Sequence, residues 1–135
     1  MEAIHLNIRD LQSGDRLIFK IAHLGITHHA IFLIDKYGQG WVAENRKIVG
    51  IRFVKIEQYT WTGSPEIIVK KFIGGEAARQ QAFERAINIH GNYDLFFFNC
   101  EHYANYIQFG SLQSKQVEIV GLLALAGLFV ASVQK

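Results

Sequence analysis

The chain predicts an α+β domain in which an antiparallel sheet comes first and helices follow, with a separate apolar helix at the C-terminus. Three observations carry this. As far as Phe72, runs of six or seven residues rich in branched and aromatic side chains alternate with turn signals and show no helical spacing. Past Gly74-Gly75 the apolar residues change to a spacing of three and four. From Val117 to Val133 the chain is almost wholly apolar. At 135 residues, 50% hydrophobic and 13% aromatic, it is long and apolar enough to bury one core. Residues 1–110 are expected to form the folded domain and residues 111–135 the hydrophobic segment.

The first strand is expected over Arg16 to Ala22, after the turn signal Ser13-Gly14-Asp15. The second spans His28 to Ile34 and is closed by Asp35 to Gly40; a short third spans Gly40 to Asn45. The fourth, Ile48 to Val54, contains Gly50, which reads as a bulge. The fifth, Glu66 to Phe72, follows the turn Thr62-Gly63-Ser64-Pro65. Strands so close together, without helices between them, predict an antiparallel meander. A helix is expected over Glu76 to Ile89, with Ala78, Ala82, Phe83, Ala86 and Ile87 on one face and Gly91-Asn92 at its end. Leu95 to Phe98 is a short apolar approach to a second helix, capped by Asn99. In that helix Cys100, Tyr103, Ala104 and Ile107 repeat at helical spacing, and Gly110 closes it.

Composition excludes several function classes. The formal charge is +2, from 14 Lys+Arg against 12 Asp+Glu, and the basic residues are scattered, so no nucleic-acid partner is expected. No glycine loop of phosphate-cradling or dinucleotide type is present. One cysteine allows no internal disulfide, and Met1 to Asp15 lacks the basic, apolar, small-residue order of a signal peptide; a cytoplasmic domain is expected. The apolar segment 117–133 would span about 26 Å as a helix, against a bilayer core of about 30 Å. Glu118 is its only charge, and Lys115 and Lys135 flank it. From Val120 to Ala131 it has no polar side chain, so a membrane-anchoring single-pass helix is expected, with a buried core helix as the alternative.

The chemistry centres on Asn99-Cys100-Glu101-His102. A lone cysteine with histidines elsewhere is a candidate nucleophile, although an unpaired cysteine is commonly just a small buried hydrophobe. With Asn99 as the cap, Cys100 is the first helical residue, where unpaired N–H groups and the helix dipole favour a thiolate and can hold an oxyanion. The apolar stripe turns Cys100 toward the sheet. A base is needed among six histidines. His28 and His29 point to opposite faces of their strand, and both faces are apolar, so alternation does not choose between them. His102, two positions beyond Cys100, points elsewhere and reads as a surface, helix-end or capping residue. His5, His23 and His90 have no supporting context. Cys100, His102, His28, His29 and Glu44 are zinc-ligand types, but no pair has ligand spacing, so neither a metal nor another cofactor is expected.

Asn99-Cys100-Glu101-His102-Tyr103 resembles the Asn-Cys-Glu-His-Phe box of the lecithin:retinol acyltransferase-like family, a branch of the NlpC/P60 thiol hydrolases. Gly14-Asp15 resembles that family's opening Gly-Asp, and His28-His29-Ala30-Ile31-Phe32 its His-Trp-Ala-Ile-Tyr strand, with Asp35 close behind. The order of the helix, Gly91 and Tyr93 to Phe98 before the box is similar. So is the stretch after it, with Asn105, Phe109-Gly110, Ser114 and Gln116-Val117. The small phospholipase A/acyltransferase members, which also carry a hydrophobic tail, match better than lecithin:retinol acyltransferase, whose inserted sequence is missing here.

The resemblance implies a circularly permuted papain-like fold and a thiol-dependent phospholipid acyl hydrolase or acyltransferase. In it Cys100 takes the acyl group, His28 is the base, and water, an amine or an alcohol accepts the acyl group. The family's Trp is His29 here. Its second histidine is Glu44, a carboxylate able to orient the base. Asn99 and His29 are expected to support substrate or oxyanion. The partners implied are a phospholipid and a membrane reached through 117–133. Viral proteins with the same two boxes suggest the alternative, a catalytically inactive membrane-tethered interaction module. The alternative reading of Glu44 is an ordinary solvated charge paired with Arg46 or Lys47.

Overall fold

The computed structural model describes residues 10–20, 27–61, 66–91 and 99–110. Within them lie five strands, β1 (Arg16–Lys20), β2 (Thr27–Ile34), β3 (Gly40–Arg46), β4 (Gly50–Lys55) and β5 (Ile67–Lys70). Two helices follow, α1 (Glu76–Asn88) and α2 (Cys100–Phe109), and a 3₁₀ turn at Ile56–Gln58 follows β4. The α+β order and the switch from strands to helices after Gly74-Gly75 are as the sequence predicts. The turn at Thr62–Pro65, the approach to Cys100 over 92–98, the tail at 111–135, and His5 and His23 lie outside the described residues.

All pairings are antiparallel, in the order β4-β3-β2-β1-β5. The meander therefore holds for four strands and fails for the fifth, which pairs with β1 at the opposite edge from β4. Leu17 lies opposite Val69 in that pairing. Side chains alternate across the sheet, and both faces are covered. Leu17, Phe19, Ala30, Phe32 and Val42 face a layer made of Leu11, Ile56, Tyr59 and Trp61. Ile31, Leu33 and Ala43 face the helices through Ala82, Ala86, Tyr103, Ala104 and Ile107. This two-sided burial is why β2 reads as apolar in both phases.

Gly50 is not a bulge. It has φ +81° and closes a hairpin turn over 47–49, with Arg46 paired to Gly50. Moving the turn sets the register: Glu44 faces Arg52. In that turn Ile48 has φ +75°, a conformation that costs a β-branched residue on the order of 1 kcal/mol or more.

The Gly14-Asp15 pair is a structural lock. Gly14 has φ +96°, and the Phe72 ring would stand 3.1 Å from a β-carbon there, so glycine is required. The buried Asp15 carboxylate accepts from the Gln12 and Phe72 N–H groups, each at 2.9 Å, and pairs with Arg79 at 2.9 Å and Lys71 at 2.7 Å. Burial works against that charge. Lys71, the Phe72 N–H and Arg79 outweigh it and hold the carboxyl below its ordinary pKa. One side chain thus ties the start of β1 to the β5–α1 connection. Arg85 on α1 donates to the Tyr106 and Ile107 carbonyls in the last turn of α2, where helix polarity favours a cation. These two links hold α2, and with it Cys100, against the sheet.

Candidate active site

The α2 start forms as its sequence predicts, with one addition. Asn99 Oδ1 accepts from the His102 N–H at 2.9 Å, and His102 Nδ1 accepts from the Asn99 N–H at 2.9 Å. This is a reciprocal capping box with histidine in the place usually taken by Glu or Gln. The capping role expected of His102 holds; the surface position does not, because the side chain is buried. Asn99 supports the site by fixing the cap. Its side-chain oxygen is engaged with His102, and its carbonyl lies 3.5 Å from Asn45 Nδ2. At the first helical position the Cys100 N–H has no intrahelical acceptor, which suits an oxyanion.

Cys100 is buried, and its Sγ lies 4.0 Å from the Thr27 carbonyl at the start of β2. Its thiol is near enough to the His28 ring to raise that ring's pKa. His28 Nε2 is 2.8 Å from Glu44 Oε1. An ionised carboxylate only accepts, so Nε2 carries a proton, and in the neutral ring Nδ1 is the nitrogen free to accept one. The ring is held from both sides. Trp61 stacks on it at 5.5 Å between centroids and 7° between planes, and Phe19 lies at 6.1 Å. Burial pushes the His28 pKa down, but Cys100 and Glu44 raise it further, to about 8.

Glu44 sits across the β2–β3 pairing from Ala30, on the His28 face, and is fully buried. Tyr59 Oη donates to the same Oε1 at 2.8 Å, Arg52 Nε donates to Oε2 at 2.5 Å, and Arg46 Nε is 3.8 Å from Oε2. The solvated-charge alternative is therefore corrected: Arg46 is only the outer partner, Arg52 is the close one, and the group belongs to the His28 pair. Burial opposes its charge, yet His28, Arg52 and Tyr59 hold its pKa below the ordinary carboxylate value. Burial and Glu44 together push the Tyr59 phenol up, so it remains a donor.

His29 lies on the other face, toward the helices. Its Nε2 is 2.8 Å from Thr27 Oγ1, and its Nδ1 is 3.4 Å from Arg16 Nη1. Burial, then the charges of Arg16, His28 and Lys70, drive its pKa to about 3, so it is neutral and no base for Cys100. Arg16 itself is buried. It donates to Asn105 Oδ1 at 2.5 Å, and its Nε has no hydrogen-bond partner among the described residues. Burial pulls its pKa down to about 10, against the pull of Glu101 and Cys100, and it stays charged. Among the described residues no group of three metal-ligating side chains converges, and no helix is long and apolar enough to cross a membrane.

The structure thus pairs His28 with Glu44 and sets Cys100 beside Thr27 at the start of the same strand, engages His29 with Thr27 and Arg16 and His102 with the Asn99 cap, and places His90 at an exposed position after α1. Sequence reasoning missed Arg52, Tyr59, Trp61 and Arg16. Only Arg52 had a legible signal, the hairpin register that follows from Gly50 closing the turn.

Comparisons with protein-family models, with curated proteins and with solved structures found no match.

The His28 shift has a consequence for stability. A pKa raised from 6.5 to about 8 contributes about 2 kcal/mol. That contribution is complete below pH 6.5 and is lost as pH rises through about 8. The lowered Glu44 pKa acts in the opposite sense: its contribution is present above the ordinary 4.5 and is lost as pH falls below it. Denaturant unfolding is expected to give a midpoint that declines between pH 6.5 and 8.5. A flat profile there would rule out the His28–Glu44 ion pair.

Proposed function

We propose that the chain is a cysteine-nucleophile acyl enzyme that cleaves phospholipid esters and passes the acyl group to water, an amine or an alcohol. The observation that carries this reading is the buried His28–Glu44 pair, in contact at 2.8 Å, with the buried Cys100 thiol at the start of β2 beside Thr27. His28 Nδ1 takes the thiol proton as Sγ attacks the ester carbonyl. The negative oxygen that develops is met by the Cys100 N–H at the positive end of α2. The C–O bond then breaks, the lysolipid oxygen leaves with the proton from His28, and an acyl thioester remains on Cys100. The acceptor gives its proton to the same ring and attacks the thioester, and the thiol is restored. Through both halves Glu44 stabilises the imidazolium and fixes its orientation, a role open to any well-placed carboxylate.

Phospholipid as the substrate rests on the resemblance of the Asn-Cys box and the His strand, together with the apolar segment 117–133, which on this reading anchors a cytoplasmic domain at the bilayer. The finer architecture belongs to the same reading. A helix begun by the nucleophile packs on an antiparallel sheet that carries the base, and the histidine strand precedes the cysteine helix, as in a permuted papain-like fold.

The test is incubation of the full chain with phosphatidylcholine vesicles, with release of fatty acid and lysolipid followed and Cys100 examined by mass spectrometry. An acyl adduct on Cys100 that decays with turnover is expected, with both signals absent in Cys100→Ala. Turnover that survives in Cys100→Ala would overturn the proposal. A folded protein with neither adduct nor turnover would favour the inactive interaction module.

A further inference from the structure

We propose that the tip of the β3–β4 hairpin, Lys47-Ile48-Val49, docks the catalytic end of the sheet on an anionic lipid surface. The inference takes its purpose, but not its geometry, from the acyl-transfer reading. Ile48 is 96% exposed and Val49 59%. Ile48 is also held at φ +75°, where glycine or asparagine is the ordinary choice in a hairpin. An apolar, β-branched side chain is thus held outward against backbone preference and makes no use of the protein's own core. Strain of this kind persists where the site has another use.

Charge complementarity names the surface. Residues 45–51 carry Arg46 and Lys47 and no acidic residue, while Arg52 is engaged with the buried Glu44, to which Arg46 is only the outer partner at 3.8 Å. An apolar tip with basic residues behind it fits the boundary between acyl chains and anionic headgroups. Position supplies the reason. Ala30 pairs with Glu44, so Arg46 and the tip beyond it lie toward the same end of the sheet as Thr27 and His28. The Arg46 guanidinium stands 6.0 Å over the Trp61 ring, which is itself stacked on His28. A surface that holds the tip therefore lies at the end of the sheet where Cys100 and His28 meet.

The experiment uses the full chain and phosphatidylcholine vesicles made with and without phosphatidylserine. In Ile48→Trp, emission is expected to shift to the blue on the phosphatidylserine vesicles and to be quenched by brominated acyl chains, beyond the signal of the parent's Trp41 and Trp61. This readout is local to position 48, so attachment through 117–133 alone does not produce it. Ile48→Asp, a residue that tolerates positive φ, is expected to lower turnover of vesicle lipid about tenfold or more, with Cys100 alkylation unchanged and a thermal midpoint no lower than the parent's. No quenching beyond the parent, or vesicle turnover in Ile48→Asp equal to the parent's, overturns the proposal. So does a blue shift that grows with protein concentration without lipid, which would assign the tip to a second copy of the chain. Quenching at position 48 in a protein that turns over no lipid would keep the docking surface and dismiss the acyl-transfer reading.

Discussion

His28→Ala is expected to lower kcat/KM for phospholipid turnover by about 10⁴-fold, and adding Cys100→Ala is expected to lower it no further than Cys100→Ala alone. The reason is that nucleophile and base act as one unit. Without His28 Nδ1 no other histidine among the described residues takes the thiol proton: His29, neutral on the opposite face and engaged with Thr27 and Arg16, does not replace it. Nor does His102, whose Nδ1 accepts from the Asn99 N–H. Steady-state rates for the two single variants and the double variant form the cycle. Losses that multiply would mean that His28 and Cys100 work independently, and would remove the base from the mechanism. The rate of Cys100 alkylation gives a second readout: in His28→Ala it should fall, because the ring that takes the thiol proton is gone.

The second large effect is expected at Glu44, where activity and stability separate by choice of variant. Glu44→Ala leaves Arg52, Tyr59 and His28 around an empty, buried space. Removing one member of a buried charge network in this way costs about 3–5 kcal/mol, so the midpoint of chemical unfolding should drop sharply. Glu44→Gln keeps the shape and removes the charge. It is expected to fold, to lose about 10²- to 10⁴-fold in kcat, and to lower the His28 pKa from about 8, since burial is then less strongly opposed. The fall in stability between pH 6.5 and 8.5 should flatten with it. Histidine resonances followed by NMR against pH measure that shift directly. An unchanged His28 pKa in Glu44→Gln would show that the carboxylate does not carry the imidazolium charge, and Glu44 would become a purely structural residue.

Much of the fold was legible from local pattern. The five apolar runs, the change to helical spacing after Gly74-Gly75, Asn99 as a cap and Gly110 as a left-handed terminator each depend on a few neighbouring residues, and each is present. Two departures have one cause, that chain path is not a local property. Gly50 reads equally as a bulge or as the end of a turn, and only the pairing of Arg46 with Gly50 decides it. The fifth strand reads as the next strand of a meander, yet it pairs with β1, since nothing in Ile67–Lys70 names its neighbour.

The candidate site divides in the same way. Cys100 stands out by sequence alone as the only cysteine, at the start of a capped helix, and the pair His28-His29 stands out as a possible base. Alternation leaves both histidines open because β2 is buried on both faces; in the structure His29 turns to Thr27 and Arg16 on the helix face, His28 turns to Glu44 and Trp61 on the other, and Cys100 stands beside Thr27 at the start of the strand. In the sequence Glu44 is followed closely by the cations Arg46 and Lys47, and nothing local assigns it to His28. Its character comes from Arg52 across the hairpin, Tyr59 beyond the 3₁₀ turn and His28 from the neighbouring strand. Periodicity, capping and the place of the lone cysteine at a helix start are fixed by residues within a turn or two of one another. The charge state and orientation of a buried base are fixed by groups that only the register and the closing of the sheet bring into contact.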